Sequence, residues 1–178
     1  MCYASGQMRL LLTATFSLLT IVLCAQNKDD LVLTQEQNDE WFETFQQLSL
    51  EKQIETLSKR LLADTNIFIP TNFELIEKVQ LNGRQVGYCK PLIVAGGVQL
   101  VIENRTRSKD IQYLTSLLSA RTVKKIEVIK RDQATALFGS RGTCNGVIIT
   151  IKSRRIKSKI GKLADDMYPA IKEIRWRY

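Results

Sequence analysis

Apolar positions along the 178-residue chain change their spacing several times, and each spacing predicts a different element. Residues 10–23, LLLTATFSLLTIVL, form an uncharged apolar run of 14 residues. That is shorter than the roughly 20 a transmembrane helix needs, but it suits the h-region of a secretory signal, with Arg9 as its positive flank. Downstream, Trp41, Phe45 and Leu48 recur at i, i+4, i+7, and Thr34 with Gln37 forms a capping box ahead of them. Leu50, Ile54, Leu57 and Leu61 mark a second helical face, with Ser49 placed to cap it. Together they predict a helical hairpin whose apolar face needs a cover.

Beyond Pro70 the pattern shortens. Leu92 to Val101 reads as two strands joined at Gly96-Gly97, and Ile111, Leu114, Leu117 and Leu118 share a helical face within Asp110 to Ala120. Ile126 to Lys130 reads as a strand, Asp132 as the cap of a short helix ending at Phe138, and Val147 to Ile151 as a buried strand. The fold class expected is α+β: a small mixed sheet with packed helices, preceded by an α-helical hairpin. Four segments follow: a signal peptide over 1–25, an acidic hairpin over 26–66, an α+β domain over 67–152 and a basic tail over 153–178.

Charge sharpens that division. Residues 26–80 hold five Lys/Arg against eleven Asp/Glu, whereas residues 81–178 hold twenty against seven. Such asymmetry predicts either different neighbours for the two halves or an acidic arm lying on a basic body. With no histidine in the chain, Ser-His-Asp and Cys-His pairs, HExxH zinc sites and a histidine general base are all excluded. Removal of the signal would leave Cys89 and Cys144, which an oxidising compartment would pair or which would stay as buried thiols. Cys24 offers a lipidation alternative, although Leu23 is large for the position before a lipidated cysteine. Two cysteines without histidine do not make a zinc site, so no metal and no cofactor is expected.

Residues 126–152, IEVIKRDQATALFGSRGTCNGVIITIK, carry the most specific pattern. They resemble the end of the plug domain of TonB-dependent outer-membrane receptors. There a strand of the type I-E-V-L-K leads to a short helix ending in Y/F-G-S-R, then to N-G-V-I and an isoleucine-rich strand. Glu127, Lys130, Ala134, Ala136, Phe138, Gly139, Ser140, Arg141, Asn145, Gly146 and Val147 occupy the matching places. KPLIVAGGVQL and VQLNG resemble the segments that precede this stretch in the plug, so the likeness spans Ile76 to Lys152. Ala95 departs from the acidic or polar residue usual there, and one extra residue separates Arg141 from Asn145. The 26 residues after Lys152 lack the alternating strands of a receptor barrel.

The resemblance implies an exported, non-enzymatic interaction module associated with outer-membrane uptake, in the periplasm or on the periplasmic face of the outer membrane. Its expected partner is an envelope protein, either a receptor barrel or a TonB-type transducer. Asp30, Leu31, Val32 and Leu33 faintly resemble the strip through which such receptors meet the transducer by strand addition. The chemistry of the motif itself is structural: Phe138 anchors a helix end, Gly139 takes a left-handed position, Gly142 and Gly146 permit tight turns, and Arg141 holds carbonyls or a carboxylate.

Lys152, Arg154, Arg155, Lys157, Lys159 and Lys162 form a basic run above Ile156, Ile160 and Leu163. It suits an anionic lipid surface, or it is a solvated face meeting the acidic arm. Nucleic acid fits poorly with an export signal. No catalytic residue is expected. The competing readings are a small envelope hydrolase using Ser49 and Lys52 (an S-x-x-K match) or carboxylates, and a receptor remnant without a barrel.

Overall fold

The computed structural model describes residues 31–70, 83–100 and 102–167. The predicted signal, Cys24, Asp30, and Trp176 with Tyr178 at the C-terminus all lie outside them. Two helices come first, α1 (Gln35–Gln46) and α2 (Leu50–Asp64). The capping box forms as its spacing requires: the Thr34 hydroxyl accepts from the Gln37 amide at 3.2 Å, and the Gln37 side chain accepts from the Thr34 amide at 3.0 Å. Ser49 does occupy the N-cap of α2, but its hydroxyl makes no capping bond, so that helix starts on backbone geometry alone.

A two-stranded parallel ribbon follows, β1 (Ile67–Phe68) and β2 (Gln85–Val86). It was not legible as a pattern, because two residues are too few to show a period. The main sheet contains β3 (Leu92–Ala95), β4 (Val98–Leu100), β5 (Val123–Ile129) and β6 (Gly146–Ile151), in spatial order β4-β3-β6-β5. β3 and β4 are antiparallel around Gly96 and Gly97, whose φ angles of 60° and 89° are those of a type I′ hairpin turn. β3 runs parallel to β6, and β5 antiparallel to β6.

Three further helices lie among the described residues: α3 (Ser108–Leu117), α4 (Arg131–Phe138) and α5 (Arg154–Met167). α3 ends earlier than its apolar run because Thr122 donates to the Leu117 and Ser119 carbonyls, closing a turn into β5. β5 in turn starts at Val123, three residues before the apolar pattern begins. It is an outer strand, so Lys124 and Lys125 can face water, and exposed lysines also discourage indiscriminate edge pairing.

One core joins these parts. Ile93, Ala95, Val147 and Ile149 from the sheet meet Phe42 and Phe45 of α1, Leu57 and Leu61 of α2, Ile111 and Leu114 of α3, and Ile160 and Leu163 of α5. The acidic hairpin, the α+β segment and the first half of the basic tail therefore share one body. The apolar face of the hairpin finds its cover in the sheet, and α5 packs against α3, β4 and β6. Among the described residues no helix is long and apolar enough to cross a membrane.

Candidate functional site

The entry to β6 is where the most distant parts of the chain converge. α4 ends at Gly139, whose φ of 64° and ψ of −145° lie in a region open essentially to glycine. A 3₁₀ turn, Gly139–Gly142, then carries Gly142 so close to α4 that a β-carbon there would overlap the Ala134 carbonyl. Gly142 is thus required by backbone contact and not by a turn angle. Thr143 closes the turn on the Ser140 carbonyl, its hydroxyl donating at 2.9 Å.

Cys144 is bonded to Cys89, with Cα atoms 5.9 Å apart, a separation natural to disulfides. The bond ties the approach to β3 to the approach to β6. Next comes Asn145, which holds a left-handed φ of 63° and is the hub of the junction. Its side-chain oxygen accepts from the Arg131 amide at 2.8 Å, capping α4. Its amide nitrogen donates to Asp39 at 2.9 Å, and its backbone carbonyl accepts from Leu92 at 3.1 Å. The cap of α4 is therefore Asn145. Asp132 lies inside the first turn, where its charge suits the helix N-terminus but caps nothing.

The acidic hairpin docks on this junction through two neighbouring residues. Asn38, fully buried, donates to the Cys144 carbonyl at 3.1 Å and accepts from Arg60 at 3.1 Å. Arg60 pairs with buried Asp64 at 2.8 Å and lies 5.1 Å over the Trp41 ring, which stacks on Phe45 at 4.6 Å. Burial nonetheless raises the Asp64 carboxyl above its ordinary range; Arg60 opposes this without cancelling it. Asp39 receives Gln35, Asn145 and Arg131, the last at 3.1 Å. Burial works to raise the Asp39 carboxyl, but the hydrogen bonds from Gln35, Asn145 and Arg131 and the Arg131 charge together hold it below the usual range. The Asp39–Arg131 pair is a direct link between the acidic and basic halves.

Two clefts flank the junction. One, of about 450 Å³, is bounded by Asp39, Glu43, Lys130, Arg131 and Asp132, a mixed-charge groove between α1 and the start of α4. The other, of about 590 Å³, lies on the disulfide side between Tyr88–Leu92, Ile102–Arg105 and Ser140–Cys144. Its walls are fixed. Asn104 exchanges two hydrogen bonds with the Ile69 backbone at 2.8 and 2.9 Å, Arg84 donates to the Asn104 carbonyl, and the disulfide holds the opposite side.

The remaining residues singled out by sequence scatter over the surface. Phe138 is half-buried, Ser140 and Arg141 are exposed, and Arg141 makes no ion pair or hydrogen bond among the described residues; it lines the larger cleft instead. Gly146 opens β6 against the Ile129 side chain, 2.9 Å from where a β-carbon would stand. In the Asp30 to Leu33 strip, Leu33 is already engaged: its carbonyl accepts from Tyr88 at 2.7 Å and its amide donates to Gln37 at 2.9 Å. Lys152 donates to the Ala120 carbonyl at 2.8 Å, Arg154, Arg155, Lys157 and Lys162 are exposed on α5, and Lys159 is half-buried. Ser49 and Lys52 are both exposed on the first turn of α2 and line neither cleft.

Sequence reasoning missed Asn38, Asp39, Arg60 and Lys90. A signal existed for Asn38, which shares the i, i+4, i+7 stripe with Phe42 and Phe45. A polar residue on an otherwise apolar stripe calls for a buried partner. Lys90 carried no such signal. Compared with known protein families, with characterised proteins and with solved structures, the chain matches none.

Proposed function

We propose that this chain is an exported, non-enzymatic interaction module built on a plug-like domain, serving outer-membrane uptake by docking to a receptor barrel or a TonB-type transducer. The observation that supports this reading is the junction at β6. The motif that resembles receptor plugs is spent there on architecture: Gly139 on a glycine-only angle, Gly142 on backbone contact and Asn145 on a helix cap. Residues committed to holding a loop rigid suit recognition by shape, and the exposed side chains presented there are Leu137 at the end of α4 and Ser140, Arg141 and Thr143 of the loop. Leu137 is 67% exposed, an apolar group offered to a partner. The outer edge of β5 is a second docking element, since strand addition needs only free backbone groups on an end strand.

Affinity capture of the full mature chain from the producing cell's envelope, at low and at high salt, tests the reading. Salt-resistant recovery of a receptor barrel or an energy transducer, lost in a Leu137→Ser/Arg141→Gln variant, is the expected result. Capture of neither protein, or capture that the variant leaves unchanged, rejects docking through this loop.

A further inference from the structure

The larger cleft holds groups that, Arg141 and Ser140 apart, the docking reading leaves unused, and this inference does not depend on that reading. Three cationic side chains, Lys90, Arg105 and Arg141, line it against one carboxylate, Glu103. Arg105 and Arg141 are exposed, so their guanidinium forks remain available to a ligand. Lys90 differs from both. Its ammonium is shielded from solvent and makes no hydrogen bond among the described residues. A buried ammonium without an acceptor is costly, and an acceptor brought by a ligand would relieve that cost. Asp64 is near enough to favour the charge, yet no hydrogen bond joins the two, and its other oxygen is committed to Arg60.

Ile69, Pro91, Leu92, Ile102 and the disulfide give the cleft an apolar stretch, with Tyr88, 61% exposed, beside it, while Asn104, Ser140 and Thr143 add neutral polar groups. A volume of about 590 Å³ is in the range of small-molecule sites. The disulfide and the Asn104 hydrogen bonds hold the two sides in place before any ligand arrives, which lowers the ordering cost of binding.

We propose that this cleft is a binding site for a small organic anion, a carboxylate carried on an apolar or aromatic body. The carboxylate is held by the Arg105 and Arg141 forks, with the buried Lys90 charge behind the wall favouring an anion, and the body lies against Ile102, Pro91 and the disulfide.

Isothermal titration of the full oxidised chain with 1-naphthoate, and with the neutral 1-naphthalenemethanol, tests the proposal. Naphthoate is expected to bind, with the neutral analogue about tenfold weaker or more. Arg141→Gln and Arg105→Gln, both at exposed positions, are each expected to weaken naphthoate several-fold, whereas Lys157→Gln on α5 leaves it unchanged. Lys90→Met is expected to reduce the preference for the anion. Absence of binding at millimolar naphthoate overturns the proposal, as does equal binding of the neutral compound. A loss in Lys157→Gln equal to that in Arg141→Gln would also overturn it, by showing attraction to general positive charge.

Discussion

Replacing Lys90 by methionine should make the protein more stable near neutral pH, and the gain should disappear in alkali. Burial pushes the Lys90 ammonium down from 10.5 to about 8; the Arg84 charge adds to the effect, and the carboxylates of Asp64 and Glu103 oppose it. A displacement of that size corresponds to about 3 kcal/mol of penalty on the charged form. Below pH 8 both folded and unfolded chains carry the proton, so the whole penalty weighs on the folded state. Between pH 8 and about 10.5 the folded chain has lost the proton while the unfolded chain keeps it, and this group's contribution to stability rises with pH. Methionine has a similar reach and no charge. Lys90→Met is therefore expected to gain up to about 3 kcal/mol at pH 7, with the difference from wild type shrinking toward zero by pH 10.5. Urea unfolding followed by far-ultraviolet circular dichroism, on both proteins under oxidising conditions from pH 7 to 10.5, measures it. Comparing the two at each pH cancels the titration of groups not coupled to Lys90. A difference that stays flat with pH would refute the reasoning, as would a less stable variant at pH 7.

Two further outcomes follow from the junction. Asn145→Ala should lose about 2 kcal/mol, roughly half from the missing cap of α4 and half from a side chain held at positive φ, and Asn145→Gly should recover the second half; equal urea midpoints for the two variants would remove the conformational contribution. Cys89→Ser/Cys144→Ser should lose about 2–4 kcal/mol, because the bond closes a loop across a sequence separation of 55, and unchanged unfolding of wild type after reduction would contradict this.

What could be read from sequence follows from the range of the forces involved. The helices announced themselves because Phe45, Leu57, Leu61, Ile111, Leu114 and Ile160 recur at a helical period and all reach the core. Gly96-Gly97 announced the hairpin because the turn demands positive φ at both positions. Capping was misassigned wherever the partner is remote. Asp132 lies next to α4 in the chain, but the acceptor that reaches the Arg131 amide comes from Asn145, 14 residues away. Charge divides the chain at about residue 80, but the apolar stripes on both sides of that point enter one core. The pairing of Cys89 with Cys144 was one of two outcomes open from composition. The cleft was not legible at all, because Lys90, Arg105 and Arg141 share no period and are gathered by the Asn104 contacts and the disulfide.

The basic character of the chain then divides into two kinds of charge with different physics. On α5, Arg154, Arg155, Lys157 and Lys162 stand in water, where each contributes on the order of 1 kcal/mol at an anionic lipid surface, and the attraction falls away beyond about 8 Å at physiological salt. Those charges favour general attraction over discrimination. Lys90 is withdrawn from solvent beside an apolar wall, where screening is weaker and an unmatched charge is expensive. Raising salt from about 0.05 to about 0.5 M shortens the Debye length from about 14 to about 4 Å and should therefore weaken ligands held by α5 more than ligands held in the cleft. Discrimination by the cleft therefore rests on cations that the fold gathers around one apolar wall, and general attraction on those that α5 spreads over open surface.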